Sequence, residues 1–314
     1  MVTDVPGVLV GHWTDERART GCTVVVLPEG TVASGEVRGG APATREFALL
    51  DPTRTVDRVD AVVLTGGSAF GLATAHGVVE GLAAAGRGYE TVHGRVPIVV
   101  AMALYDLGVG DGTVRPGAEQ GRLAFDSALD GAVDAVVGGA AGGGAGPSMP
   151  VGAVGAGAGA TVDKWSGRPR PSGLGVASLR VATAPGAEPG PAEVVVSALV
   201  AVNAFGRIDD GTADHDIGPP VRPALGPPDS HGELTNTTIG VIVTNARVDK
   251  TGCQWLARSG HDGLARALYP AHMPVDGDAL VAAATGQVKA DPMHLRLLAQ
   301  AAVTRAVRSL ARLG

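Results

Sequence analysis

The chain has 314 residues, 45% of them hydrophobic but only 3% aromatic, with 48 glycines and a formal net charge of −6. That length holds one large domain or two small ones, and Val, Ala and Leu must fill its core, with glycines letting backbones approach closely. An acidic balance without a basic stripe excludes nucleic-acid binding as the main task, and two cysteines, Cys22 and Cys253, are too few for a metal-ligand cluster or a disulfide framework.

Taken in chain order, the opening "MVTDVPGVLVGHW" carries Asp4 where a secretory signal needs a basic end, and no run approaches membrane-spanning length. A soluble, cytoplasmic protein is expected. β-Branched runs predict strands over 22–27, 61–64, 97–102, 193–202 and 239–243, several of them apolar on both faces as buried strands are. Ala/Leu-rich windows predict helices over 69–85, 116–129, 260–269 and 291–312. The last opens with Asp291 as N-cap and Pro292 at its first position, and Leu295, Leu298, Val303 and Leu310 form much of an apolar stripe. Strands and helices alternate throughout, which gives an α/β or α+β class with covered sheets.

Three stretches stand outside that pattern. "LTGGSAFGLATAHGV" (64–78) has the strand, glycine pair and helix start of a nucleotide-binding turn, but neither the dinucleotide spacing nor a closing Gly-Lys-Ser/Thr. Its glycines are assigned to close backbone approach. Residues 134–160 are nearly all Gly, Ala and Val and read as low complexity with room for a mobile insertion, while 209–233 is a Pro/Gly/Asp-rich connection too long for an ordinary loop.

That long connection ends on "ELTNTTIGVIV" (233–243). One reading is the polar lip of a strand, since Thr pairs are ordinary there. The other is a cut site: the Thr237 hydroxyl attacks the Asn236 carbonyl, an N-to-O acyl shift gives an ester, and water releases a new N-terminal Thr. Its own α-amino group, with a reference pKa of about 7.7–8.0, then suits a general base near neutrality.

The order of several motifs favours the cut site. "VPGVLVGHWTDERARTGCTVVVLPEG", "VRGGAPATRE", "LTGGSAFGLATAHGV", "LYDLGVGDGTVRPGAEQG", "GAGATVDKWSGRPRPSGLG", "VNAFGRI", "LTNTTIGVIVTNA" and "HMPVDGDALVAAATG" together resemble the P1 family of peptidases, from about residue 5 to the last helix. That family includes L-aminopeptidase/D-amidase-esterases, β-peptidyl aminopeptidases, a pantetheine hydrolase and the nylon-oligomer hydrolases. The resemblance implies a single catalytic domain spanning 1–314, built as a four-layer αββα sandwich of two stacked sheets covered by helices. It implies self-cleavage between Asn236 and Thr237 into 1–236 and 237–314, followed by amide or ester hydrolysis by Thr237 without metal or cofactor.

By the same resemblance, Lys164 in "DKWSGRP" is the lysine near the nucleophile, and Asn203 in "AVNAFG" supplies an oxyanion-hole amide. Asp276 and Asp278 hold the Thr237 amine or hydroxyl through hydrogen bonds, although an Asp before the Ala/Leu-rich run that follows also reads as a helix N-cap. Tyr105 aligns with a substrate-binding tyrosine, or is a half-buried core residue. Thr237 with Asp276 and Asp278 looks most like the nylon-oligomer-hydrolase branch. The helix after "SAFGL" departs from the family: Ala73 and His76 stand where relatives commonly carry acids, which puts binding of a substrate's free amine in doubt. Expected partners are a small-molecule amide or short peptide, with no nucleic acid and no membrane, and further copies in a dimer or tetramer. The alternatives are an aminopeptidase/D-esterase or pantetheine-type amidase of the same mechanism, and an acyltransferase of the ornithine acetyltransferase type. The eight histidines show no HExxH-like spacing.

Overall fold

The computed structural model describes residues 1–137, 150–183, 191, 193–212 and 236–312. Its long strands lie in two five-stranded sheets. The first runs in spatial order β1 (Leu9–Asp15), β2 (Thr20–Val26), β5 (Ala61–Thr65), β6 (Val99–Ala103), β4 (Thr44–Arg45). The second runs β7 (Gly173–Ala182), β8 (Glu193–Asn203), β9 (Thr237–Ala246), β10 (Ala279–Val288), β3 (Val32–Val37). The β5/β6 and β9/β10 pairs are parallel and the others antiparallel. Four main helices follow the strands: α1 (Thr74–Ala84), α2 (Ala118–Val137), α3 (Lys250–Ala265) and α4 (Pro292–Arg308).

Side-chain alternation decides the layers, because neighbouring residues of a strand face opposite sides. Val195, Leu199 and Ala201 of β8, Ile239, Val241 and Val243 of β9, and Val281 of β10 meet Val25, Val62, Leu64, Val100 and Met102 of the first sheet in one core. The residues between them, such as Val196, Val200, Ile242 and Leu280, pack instead against Leu256, Leu264, Leu295 and Val303 of α3 and α4. On the far side Cys22, Val24, Ala61 and Val63 meet Val78, Leu82 and Phe125 of α1 and α2. Three cores between four layers make the αββα sandwich, in a single domain. The two cysteines lie in different outer cores and are both free.

Helix and strand expectations fare unequally. Asp291 caps α4 by accepting from His294 N at 2.7 Å, and Leu295, Val303 and Leu310 are buried beneath it. The window 69–85 is broken into a turn at Ser68–Gly71 and then α1. The expected helix over 260–269 is corrected: α3 begins at Lys250 and ends at Ala265, and Leu268–Tyr269 is a short strand paired with Arg207–Ile208. The run after Asp278 is also corrected, from helix to β10; its alanines serve a parallel strand closed in on both faces, where bulk is unwelcome. Of the Gly/Ala-rich stretch, 138–149 lies outside the described residues, but 155–160 is buried: Gly155 N and Ala156 N donate to Thr14 Oγ1 (2.8 Å) and Thr23 Oγ1 (3.1 Å). Residues 213–235, most of the long connection, lie outside as well.

Lys250, at the start of α3, is buried and directs its ammonium at three backbone carbonyls, those of Leu49 (2.7 Å), Arg54 (2.9 Å) and Val56 (2.7 Å). It ties the 49–56 loop to the second sheet's helical layer. Lys250→Met removes every one of those donors while keeping the aliphatic stem, and is expected to destabilise the protein by about 3 kcal/mol, read as a lowered urea midpoint.

Candidate active site

Alternation also positions the candidate nucleophile. Thr237 opens β9 and Asn203 closes β8, and the two are directly opposed in the antiparallel register. Both share the odd-numbered face that carries Ile239 and Leu199 toward the first sheet. They therefore stand at one end of the gap between sheets, where Tyr105 arrives just beyond β6. Asn203 Nδ2 donates to Tyr105 O at 2.9 Å, joining the two sheets at this point.

Asn203 is completely buried, and its amide orientation is dictated by its partners. Lys164 Nζ donates to Asn203 Oδ1 at 2.8 Å and to Asn203 O at 3.3 Å, and Thr161 N donates to Oδ1 at 3.0 Å. Ammonium and amide N–H can only donate and the Tyr105 carbonyl can only accept, so the reverse amide orientation would lose the side-chain bonds to Lys164 Nζ, Thr161 N and Tyr105 O. Half-buried Lys164 thus adjoins the candidate site through Asn203. Tyr105 contributes its backbone carbonyl, with its ring only partly covered.

At the proposed cut, the Thr237 hydroxyl donates to Asn236 O at 2.5 Å, and Gly277 N donates to the same oxygen at 2.9 Å. The Asn236 carbonyl oxygen therefore accepts two hydrogen bonds. Glycine is required at 277, since a Cβ there would lie 2.4 Å from Ala41 O and 2.7 Å from Thr237 Oγ1. Asn236, Thr237, Asp276 and Asp278 are all less than 5% exposed, so in the continuous chain the site is closed over. The Asn236 amide oxygen and the Thr238 hydroxyl, on either side of Thr237, have no hydrogen-bond partner among the described residues.

The two acids occupy the lead-in to β10. Asp276 accepts from Met273 N at 2.8 Å and Phe205 N at 3.3 Å; Asp278 accepts from Thr238 N at 2.7 Å. Neither bonds the Thr237 hydroxyl among the described residues; they flank it through Gly277 and Thr238. Burial, reinforced by the charge of Asp278, raises the Asp276 carboxyl to about 6, a value suited to proton transfer near neutrality. Asp278 is bound in turn by His272, whose Nδ1 lies 2.8 Å from Asp278 Oδ2.

His272 and Gly277 adjoin the candidate site residues, and residue-level reading of the sequence passed over both. Both lie inside "HMPVDGDALV", and a His four residues before an Asp-Gly-Asp is the one local signal that could have singled them out. The glycine turn of 64–78 is, as expected, a backbone device. Gly67 N donates to Asp106 Oδ1 at 2.7 Å, and a Cβ on Gly66 would lie 2.0 Å from Asp106 Oδ2. A carboxylate already fills the place a phosphate would take. Among the described residues no three His, Cys, Asp or Glu side chains are grouped to hold a metal ion, and no helix is long and apolar enough to cross a membrane.

Comparison with known proteins agrees with this architecture. The family model described as Peptidase family S58 matches residues 1–313. An uncharacterised aminopeptidase of Mycobacterium leprae is 40% identical over 314 aligned residues, covering 92% of this chain and 79% of that protein. A 6-aminohexanoate-oligomer endohydrolase of Kocuria sp. is 28% identical, covering 91% and 75%. Among solved structures, the L-aminopeptidase D-Ala-esterase/amidase of Ochrobactrum anthropi, described as a variant of the Ntn hydrolase fold, superposes with a TM-score of 0.68 at 20% identity, over 98% of this chain and 85% of that one.

Proposed function

From the premise that the chain belongs to peptidase family S58, we propose that it is an amide hydrolase that cuts itself between Asn236 and Thr237 and then uses Thr237 as its nucleophile. One observation carries the reading: the Thr237 hydroxyl and the Gly277 N–H converge on the Asn236 carbonyl oxygen. Intramolecular placement of this kind removes much of the entropic barrier to attack.

In the cut, Thr237 Oγ1 adds to the Asn236 carbonyl carbon as its proton leaves, and Gly277 N–H stabilises the oxyanion. The C–N bond then breaks as the nitrogen of Thr237 takes up a proton, leaving an ester to Oγ1. Water hydrolyses that ester, giving the Asn236 carboxylate and a free Thr237 amine. Asp276 is the group best tuned to carry the protons, because its carboxyl titrates at about 6. In turnover, Thr237 Oγ1 attacks the substrate carbonyl with its own amine as base. Asn203 supplies the amide donor for the new oxyanion, and Lys164 holds that amide and moves protons. An acyl-enzyme forms and water releases it.

Unhindered secondary amides fit this chemistry. The aminopeptidase name of one relative and the oligoamide specificity named for another bracket the class: short peptides on one side, linear ω-amino-acid oligomers on the other.

Intact mass and N-terminal sequencing of the purified protein test the cut. Expected are two associated fragments, 1–236 and 237–314, the second beginning Thr-Thr-Ile-Gly. A chain that stays whole through prolonged incubation yet hydrolyses amides would sink the mechanism.

A further inference from the structure

His272 lies 35 positions beyond the nucleophile and has no part in the chemistry above. Its ring is nonetheless fixed at both nitrogens. Nδ1 lies 2.8 Å from Asp278 Oδ2 and Nε2 lies 3.2 Å from His261 O. The second partner is a carbonyl and can only accept. The first is a carboxylate whose other oxygen already receives the Thr238 N–H. A neutral imidazole carries one N–H and would leave one of these acceptors facing a bare nitrogen; only an imidazolium donates to both. We propose that His272 is a positioning residue of the self-cleaving site, an imidazolium that pairs with Asp278 and fixes it against Thr238, and so leaves Asp276 as the carboxyl that exchanges protons.

The inference rests on the self-cleavage reading and adds to it a division of labour between two carboxylates. Two acids one residue apart in a buried place repel, so their protonation must be split. His272 decides which way, because it touches Asp278 and not Asp276. The surroundings support a single cation there. His261 packs against His272 with ring centroids 4.9 Å apart and donates from Nε2 to Glu36 O, 2.9 Å away. Burial lowers His261 to about 3, so it stays neutral beside the imidazolium. Arg38 is the other nearby cation; it lies 3.3 Å from Asp262 and 3.7 Å from Glu36, which also meets Arg258 at 3.2 Å. Its charge is matched there. Burial pulls His272 itself down, but the hydrogen bond and charge of Asp278 outweigh that and hold it above the ordinary histidine value. His272 has φ +57°, a left-handed conformation uncommon for a non-glycine residue.

Two measurements test this. In the full-length Thr237→Ala chain, ¹⁵N NMR of labelled histidines should show His272 with both ring protons through neutral pH, titrating above the ordinary value, and adding Asp278→Asn should bring it below. A neutral single tautomer at pH 6 would overturn the assignment. The second uses His272→Gly, which suits the left-handed backbone and leaves an imidazole-shaped space. Loss of the cation raises the apparent pKa of the carboxylate pair, so the pH midpoint of self-cleavage should move up by about one unit, with about tenfold slower cutting on its acid side. Added imidazole should restore both. Slower cutting with an unmoved midpoint and no response to imidazole means a packing role only, and an unchanged rate means no role; either refutes the proposal. If the wild-type chain never cuts, the self-cleavage reading falls, and the ring titration alone decides whether His272 is the counter-ion of Asp278.

Discussion

Thr237→Ala is expected to yield one uncut chain of 31.2 kDa with no amide hydrolysis above background. The substitution removes the hydroxyl that lies 2.5 Å from the Asn236 carbonyl oxygen, and no water or neighbouring side chain replaces an attacking group covalently held in place. Loss of a nucleophile from such a site costs at least about 10⁴-fold in rate. The fold should survive, since Thr237 occupies the first position of β9 and its backbone pairing with Asn203 does not involve the side chain. Circular dichroism and size exclusion should match an unprocessed wild-type sample, and denaturing gels with an amidase assay read the two losses together. Thr237→Ser, which keeps the hydroxyl, is expected to cut and to hydrolyse.

The second large effect is expected from Asn203→Asp. The change is nearly isosteric and keeps an acceptor for Lys164 Nζ and Thr161 N, so those bonds hold. What disappears is the Nδ2 donor, which bonds Tyr105 O and is the group assigned to the substrate oxyanion. Removing one such donor typically costs about 10²–10³-fold in kcat. Self-cleavage should suffer much less, because the Asn236 carbonyl is held by Gly277 N–H instead. A variant that processes normally and then turns over slowly would separate the two oxyanion sites. Equal losses in both reactions would show that Asn203 serves the cut as well.

Much of this site could be found in the sequence and some of it could not, for physical reasons. The motif order located Thr237, Lys164, Asn203, Asp276 and Asp278, and the structure brings all five to one end of the gap between the sheets. β-Branched runs are legible because Val and Ile suit a pleated surface, which is why β8 was found within a residue and β9 within three. β10 was not. Its run of alanines has high helix propensity, and only its place between β9 and β3, with both faces covered, makes it a strand. The same blindness applies to Gly277 and His272. Gly277 acts through a backbone N–H, which every residue but proline has, and His272 through a ring whose two partners are separated in sequence and brought together by α3.

The place of β9 in its sheet carries a last consequence. It is an inner strand, bonded to β8 on one side and β10 on the other, and β8 and β10 fall in different fragments of the proposed cut. Cutting before Thr237 therefore severs the chain without opening the sheet, and the smaller piece stays bound by a full ladder of backbone bonds. Folding the precursor is a first-order event, but refolding the product is a meeting of two molecules. The processed protein's melting temperature should then rise more steeply with its own concentration than that of Thr237→Ala. Maturation, on this view, turns a reversible fold into one the cell assembles once.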